Sequence, residues 1–467
     1  WTMQVTGRQA GAGCYNGLDR LTHINVPAET TEPIDVGTTY NCSYALFANG
    51  NLYTWGINTD GQCGLGHTTS TAIPTLAATN VVAVYTHPTQ STGYGSGSKT
   101  IIKKTDGYLY AAGYNGNGQL GVGDTTNRTS FTQLTSFGTD IKSVWNMGAD
   151  YGALYVQKND LTIWSCGYNG YGQLGDGTTI YRSSPVQINT GFSYTQIVSG
   201  YNAGAATGYA STYGIRSDGT LYGWGFNTYG GLGQNDTVHR SSPVQVGYSS
   251  WATVSCSVCH TMALRSDRTA WGWGSNVNGA LGTNSTTNAS SPVQIGTLSW
   301  NQVIAFKAST SSAGIRSDGT LYTWGFNSQG QLGTNDVISR SSPTQITTNS
   351  YTQVSAYHSN TAAIRTDGGL LVWGINSSGQ LGQNDTVQRS SPVQIGTSSW
   401  TQVSVGSAHM LALRTDSGMF AWGANTNGRL GDNSAVNRSS PVQIGTSKML
   451  TQGCAYICTN LKMIDNC

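Results

Sequence analysis

Eight times along this 467-residue chain, an asparagine stands two residues after a glycine, and glycine recurs three and six positions after it. The asparagines are Asn58, Asn115, Asn169, Asn227, Asn276, Asn327, Asn376 and Asn425. Six of the leading glycines follow a tryptophan (Trp55, Trp224, Trp273, Trp324, Trp373, Trp422), and the other two follow Ala112 and Cys166. Leucine precedes the last glycine every time except at Cys63. A period of about 50 residues means one supersecondary unit per repeat, packed on its neighbours, because so small a unit cannot bury its apolar face alone. Asn and Gly supply the left-handed or tight backbone of a turn leaving a strand. The Leu plugs that turn onto the sheet beneath.

One unit, Trp400 to Ile444, reads as four short strands: Thr401–Val405, His409–Arg414, Met419–Trp422 and Pro441–Ile444. Each is rich in β-branched, apolar or aromatic residues, with Gly, Asn, Asp and Ser between them. The spelling LYTWGFNSQGQLG (Leu321–Gly333), followed by RSSPTQI (Arg340–Ile346), resembles the RCC1 repeat, and the resemblance covers essentially the whole chain. It implies an all-β, closed β-propeller with one four-stranded blade per repeat.

Eight whole blades are expected at 33–80, 81–138, 139–191, 192–249, 250–298, 299–349, 350–398 and 399–447. The ends supply a ninth. Met449–Met463 aligns with the first two strands of a unit, Asp19–Val26 with a fourth strand and Met3–Thr6 with a degenerate third, so 1–32 and 448–467 would share a closing blade. The alternative is eight blades with both termini packed as caps. Closure by the two ends would remove exposed sheet edges and replace a loop-closure cost with ladder hydrogen bonds.

Composition narrows the function. Only 9% of residues are charged, the formal net charge is +2 and 62 residues are glycine, while 13 Trp and 25 Tyr provide apolar area to bury. This is not a disordered composition. Near-neutral charge without a basic tail gives no electrostatic footprint for nucleic acid or acidic lipid. No run of 18 apolar residues occurs, so no membrane-spanning helix is expected. The chain opens at Trp1, which reads as a processed product or a fragment.

Motifs that hint at chemistry are weighed against the repeat. Cys256-Ser-Val-Cys259-His260 has the spacing of a c-type haem attachment, but His260 occupies the slot of His409, a packing position between the first and second strands. Cys14, Cys454, Cys458 and Cys467 fall in the closing region, where a disulfide across the seam is one possibility; a zinc site at Cys454 and Cys458 has no histidine nearby. Arg216, Arg265, Arg316, Arg365 and Arg414 each precede an aspartate by two (Asp218, Asp267, Asp318, Asp367, Asp416), and Lys104 with Asp106 repeats the pattern. Pairing with the turn aspartates is favoured over a ring that grips a polyanion. Arg182, Arg240, Arg340, Arg389 and Arg438 precede the fourth strand, three with an aspartate four residues earlier, and read as loop clasps. No nucleophile-elbow, Walker or zinc-protease motif occurs, and no acid/base pair breaks the repeat. No catalytic residue, cofactor or metal is expected. The sequons at Asn127 and Asn235 matter only in a eukaryotic secretory setting.

Two connections break the repeat, Thr86–Thr100 and Gly200–Gly214. Their Tyr, Ser, Gly and Asn content suits recognition loops. Lying two blades apart on one face, they are expected to frame a binding surface with His87, Tyr94, Tyr201, Tyr209 and Tyr213 as candidate contacts; tolerated surface insertions are the plainer reading. The low-charge, Ser/Thr/Asn-rich character resembles phage tail-fibre and secreted microbial RCC1-like proteins. It implies a non-catalytic extracellular or virion-surface scaffold that binds a receptor, glycan or neighbouring subunit. Alternatives are a guanine-nucleotide exchange factor, whose wedge and basic tail are not recognisable here, and an inhibitor of a secreted enzyme.

Overall fold

A computed structural model describes residues 33–38, 42–85, 99–147, 152–189, 192–201, 209–257, 259–306, 309–406, 408–416, 418–425 and 436–444, together with 430, 432 and 434. Its 30 strands form antiparallel meanders: five four-stranded sheets and one ten-stranded sheet. The large sheet resolves into three blades that share two long strands. Ala289–Ala305 pairs through Ala289 and Gln294 with the strand before it, and through Trp300 and Ala305 with the strand after it. Arg340–Tyr357 does the same for the next pair of blades. The described residues therefore hold eight four-stranded blades, numbered here 1 to 8 in chain order. The expected ninth blade, with the seam cysteines, lies outside the described residues.

Each strand boundary has a local cause. In blade 8 the fourth strand begins at Arg438, three residues before the sequence suggests, because the ladder continues past an irregularity to pair Arg438 with Gly423. In blade 4 Gly225, at the matching bend, has φ +96°, which a side chain rarely tolerates.

The core lies between blades. One apolar cluster joins Ile364, Leu370, Val372 and Leu381 of blade 7 to Trp400, Val403, Met410 and Trp422 of blade 8. Another joins Ile315 and Leu321 of blade 6 to Tyr351, Val354 and Trp373 of blade 7. Trp224, Trp273, Trp324, Trp373 and Trp422 are fully buried. At about 25 cal/mol per Å² of apolar area, such indoles are the largest single contributions to blade-to-blade cohesion.

The recurring asparagine organises the turn after the third strand. Asn327 Oδ1 accepts the Leu332 amide at 2.9 Å, and its Nδ2 donates to the carbonyls of Asp336 and Ile338, both at 3.1 Å. Asn115, Asn227, Asn276 and Asn376 make the same three bonds at their own positions. The turn then rests on the next blade: the Asn335 amide donates to the Ser390 carbonyl at 2.8 Å, and Gly330 lies against Ser390.

Candidate functional site

A meander places the connection between strands one and two at the same end of the blade as the connection between strands three and four. The other two kinds of connection lie at the opposite end. The strand ends that flank both long insertions, Tyr85 and Lys99 in blade 2 and Tyr201 and Ala210 in blade 4, therefore lie at the same end of their blades as the asparagine turns, the turn face.

Of the five residues singled out in the insertions, His87 and Tyr94 lie outside the described residues, and Tyr201 is described only as the last residue of its strand. Tyr213 is corrected. It is fully buried in the second strand of blade 4, donates its hydroxyl to the Gly231 carbonyl and accepts from Thr261 Oγ1 of blade 5. Burial pushes its phenol well above the ordinary value. That strand is buried on both faces from Ala210 to Ile215, so Tyr213 is a core residue and not a loop contact.

Tyr209 belongs to a cluster that sequence reasoning missed. Its ring stacks on Phe226 at 4.4 Å between centroids and lies 5.3 Å from Tyr171. Phe226 is buried at the centre, with Tyr171 at 5.2 Å, His239 at 5.1 Å and Tyr229 at 6.4 Å. Tyr171 comes from the asparagine turn of blade 3, whereas Phe226, Tyr229 and His239 flank or follow that of blade 4. Tyr229 is 43% exposed. His239 Nδ1 accepts the Asn227 amide at 2.9 Å, which leaves Nε2 to carry the proton of the neutral ring; burial lowers its pKa. The Tyr171 phenol is pushed up by burial, by Tyr209's charge and by a hydrogen bond to it. The available signal was Tyr171 and Tyr229 at a repeat position that is polar in the other six units.

The remaining motifs resolve into packing. His260 is buried, with Nε2 3.1 Å from Ser312 Oγ of blade 6, and burial lowers its pKa to about 4. Cys256 is buried, and burial raises the Cys259 thiol to about 11. Arg240, Arg340 and Arg389 pair with Asp236, Asp336 and Asp385 four residues earlier, as expected, and Arg182 and Arg438 reach Asp176 and Asp432, six residues earlier, at 2.6 and 2.5 Å. The other arginine series divides. Arg316, Arg365 and Arg414 pair with Asp318, Asp367 and Asp416. Arg216 instead lies over Phe192 and Tyr222 at 3.9 and 3.7 Å, and Arg265 over Trp271 at 3.6 Å. Arg316 and Arg414 keep their aspartates and also lie over third-strand rings, 5.7 Å from Tyr322 and 4.7 Å from Phe420, whereas blade 7 carries Leu371 at that position.

Eight alike blades with interlocked turns define a repeat-propeller scaffold. The chain belongs to the regulator of chromosome condensation (RCC1) repeat family, whose model matches residues 49–87, 162–206, 218–264, 269–313, 318–364, 367–413 and 416–455. A second model of the same repeat matches 251–280, 351–380 and 400–429. The chain is 31% identical over 230 residues to the ultraviolet-B receptor UVR8 of Arabidopsis thaliana, covering 47% of each protein. It is 31% identical over 173 residues to the X-linked retinitis pigmentosa GTPase regulator of Canis lupus familiaris, covering 36% of this chain and 16% of the relative. The match thus spans half or less of these relatives. Among solved structures, human WBSCR16 superposes with a TM-score of 0.55 at 20% identity, over 72% of this chain and 93% of that one. Prp20p of Saccharomyces cerevisiae gives 0.54 at 16% identity, over 74% and 88%. These likenesses establish the fold alone.

Proposed function

We propose that this chain is a non-catalytic interaction scaffold whose turn face engages a macromolecular partner at the boundary of blades 3 and 4. One observation carries the reading: at two adjacent blades the repeat is broken by aromatic residues that the fold does not need. Tyr171 and Tyr229 hold a position occupied elsewhere by Asp60, Asn117, Asn278, Gln329, Ser378 and Asn427. Half-exposed tyrosines over a packed base give large contact area at little entropic cost, the property of binding hot spots. The low charge and Ser/Thr/Asn-rich composition support an extracellular or virion-surface setting.

The test compares retention of native partners from source material by the wild type, by the Tyr171→Ala/Tyr229→Ala pair and by Tyr248→Ala. Tyr248 is 99% exposed and lies in the connection at the opposite end of blade 4. Loss of the same species only in the turn-face pair is the expected result. Equal retention by all three proteins, or equal loss from both variants, overturns the reading.

A further inference from the structure

We propose that the cluster of Tyr171, Tyr209, Phe226, Tyr229 and His239 binds a neutral carbohydrate, one sugar ring stacking on the exposed tyrosine surface. The proposal rests on the turn face being the binding face and names the ligand class for it.

The cluster is built and not incidental. The fold requires only a hydrogen-bond acceptor at the His239 position: Asn127, Asn288 and Asn437 each accept the asparagine-turn amide there at 2.8 Å through their side-chain oxygens. His239 does this with Nδ1 and adds an aromatic ring stacked on Phe226. Tyr229 replaces a polar residue, and Tyr171 reaches across from the neighbouring blade to the same centre. Packing on Phe226 fixes the rings before a ligand arrives, which lowers the ordering cost of binding.

Charge selects the ligand. Within the two asparagine turns, 169–182 and 227–240, the carboxylates are Asp176 and Asp236, paired with Arg182 and Arg240. Burial lowers the pKa of His239, so it is neutral at pH 7. An anionic ligand finds no unpaired cation in these turns, and a cationic one finds no unpaired carboxylate. What they offer is flat apolar ring surface edged by phenol hydroxyls and an imidazole N–H. A pyranose matches that combination, with an apolar C–H face to stack and equatorial hydroxyls to exchange hydrogen bonds with the rim. A polypeptide partner is the other occupant of such a surface, and the experiment separates the two.

The full chain is titrated against a panel of neutral oligosaccharides built from glucose, galactose, mannose and N-acetylglucosamine, with sialylated and sulfated oligosaccharides as charged controls. At least one neutral member is expected to bind with a Kd near or below about 1 mM. Its affinity should be unchanged between low and high salt, because no net charge is engaged. Tyr229→Ala and Tyr209→Ala should each weaken it about tenfold or more, Tyr229→Phe less, and Tyr248→Ala not at all. Near-UV circular dichroism verifies that each variant keeps native packing. The proposal is overturned if no neutral saccharide binds, if only the charged ones do, or if Tyr209→Ala and Tyr229→Ala both bind as wild type. Should saccharides fail while the turn-face pair still loses a protein partner, the glycan assignment falls and the binding face stands.

Discussion

The indole Nε1 of Trp373 donates to the main-chain carbonyl of Gln331 at 2.8 Å, across the boundary between blades 7 and 6. Thr361 Oγ1 donates to the same oxygen at 2.8 Å. The pattern recurs as Trp324 and Ser312 on Ala280, and as Trp224 and Thr212 on Gln173. The tryptophan thus buries area and also satisfies a carbonyl of the neighbouring turn. Trp373→Phe keeps most of the apolar area but removes that N–H, and is expected to cost about 1–3 kcal/mol in chemical denaturation. Trp373→Ala should cost about 3–5 kcal/mol. If Phe is tolerated without loss, the carbonyl bond contributes nothing to cohesion.

Asn376 bridges its own turn. Its Oδ1 accepts the Leu381 amide at 2.8 Å, and its Nδ2 donates to the carbonyls of Asp385 and Val387. Asn376→Ala leaves a buried donor without its partner, and Asn376→Asp sets a carboxylate against two carbonyls. Both are expected to destabilise, Ala by about 2–4 kcal/mol and Asp by more. Because repeat units couple mainly to their neighbours, hydrogen exchange should rise in blades 7 and 8 before it rises in blades 2 and 3. Uniform acceleration across the chain would contradict nearest-neighbour coupling.

Glycines at left-handed positions are not equivalent. Gly379 has φ +78°, and a Cβ there would lie 2.6 Å from Ser439 Cα of blade 8. Gly396 has φ +52° with nothing within 4 Å. Gly396→Ala should therefore cost only the left-handed penalty, about 1–2 kcal/mol. Gly379→Ala must also push its own backbone away from that of blade 8, and should cost clearly more by thermal or urea denaturation. Equal costs would mean that the turn does not bear on the next blade.

These contrasts show what the sequence made legible. The Trp-Gly-x-Asn signature, the interleaved glycines and the loop clasp at Arg389 and Asp385 repeat often enough for a single chain to display its own alternatives. Fold class and turn positions therefore follow from the residues. The site was harder to read. Tyr213 sits in the long insertion by sequence, yet the strand resumes at Ala210 and is buried on both faces between blades, Tyr213 included. Insertion length draws attention to Tyr209, but the aromatic cluster that holds it forms across a blade boundary. Tyr171 and Phe226 are 55 positions apart in sequence, and only the packing of successive turns brings them together.

His260 makes acid stability testable. Its pKa falls from 6.5 to about 4 on burial, so the unfolded chain binds more protons between those values. The neutral-ring contribution is complete above pH 6.5 and is lost as pH falls toward 4, amounting to at most about 3 kcal/mol. His260→Gln removes this titration and should flatten the stability profile between pH 6.5 and 4. An unchanged slope would show that other groups set the acid limb.

Two arginines at equivalent strand positions should answer differently to substitution. Arg265 lies 3.6 Å from the Trp271 ring and 5.1 Å from Trp251, where a guanidinium and an indole exclude water from each other. Arg365 pairs with Asp367 at 2.7 Å, but that carboxylate is 62% exposed, so solvent and salt screen the pair. Arg265→Gln is expected to cost about 1–2 kcal/mol, largely independent of salt, and to shift tryptophan emission because two indoles lose their cover. Arg365→Gln should cost less than about 1 kcal/mol, and that cost should shrink further as salt rises. The same position in the repeat thus serves as an aromatic cover in blade 5 and as a screened surface pair in blade 7, while Arg316 and Arg414 in blades 6 and 8 combine a ring with an ion pair. Adding the aromatic should add the cover: Leu371→Trp, at the site matching Trp271, is expected to make Arg365→Gln costlier and a smaller share of that cost salt-sensitive. A double-mutant cycle showing no coupling between 365 and 371 would refute that account.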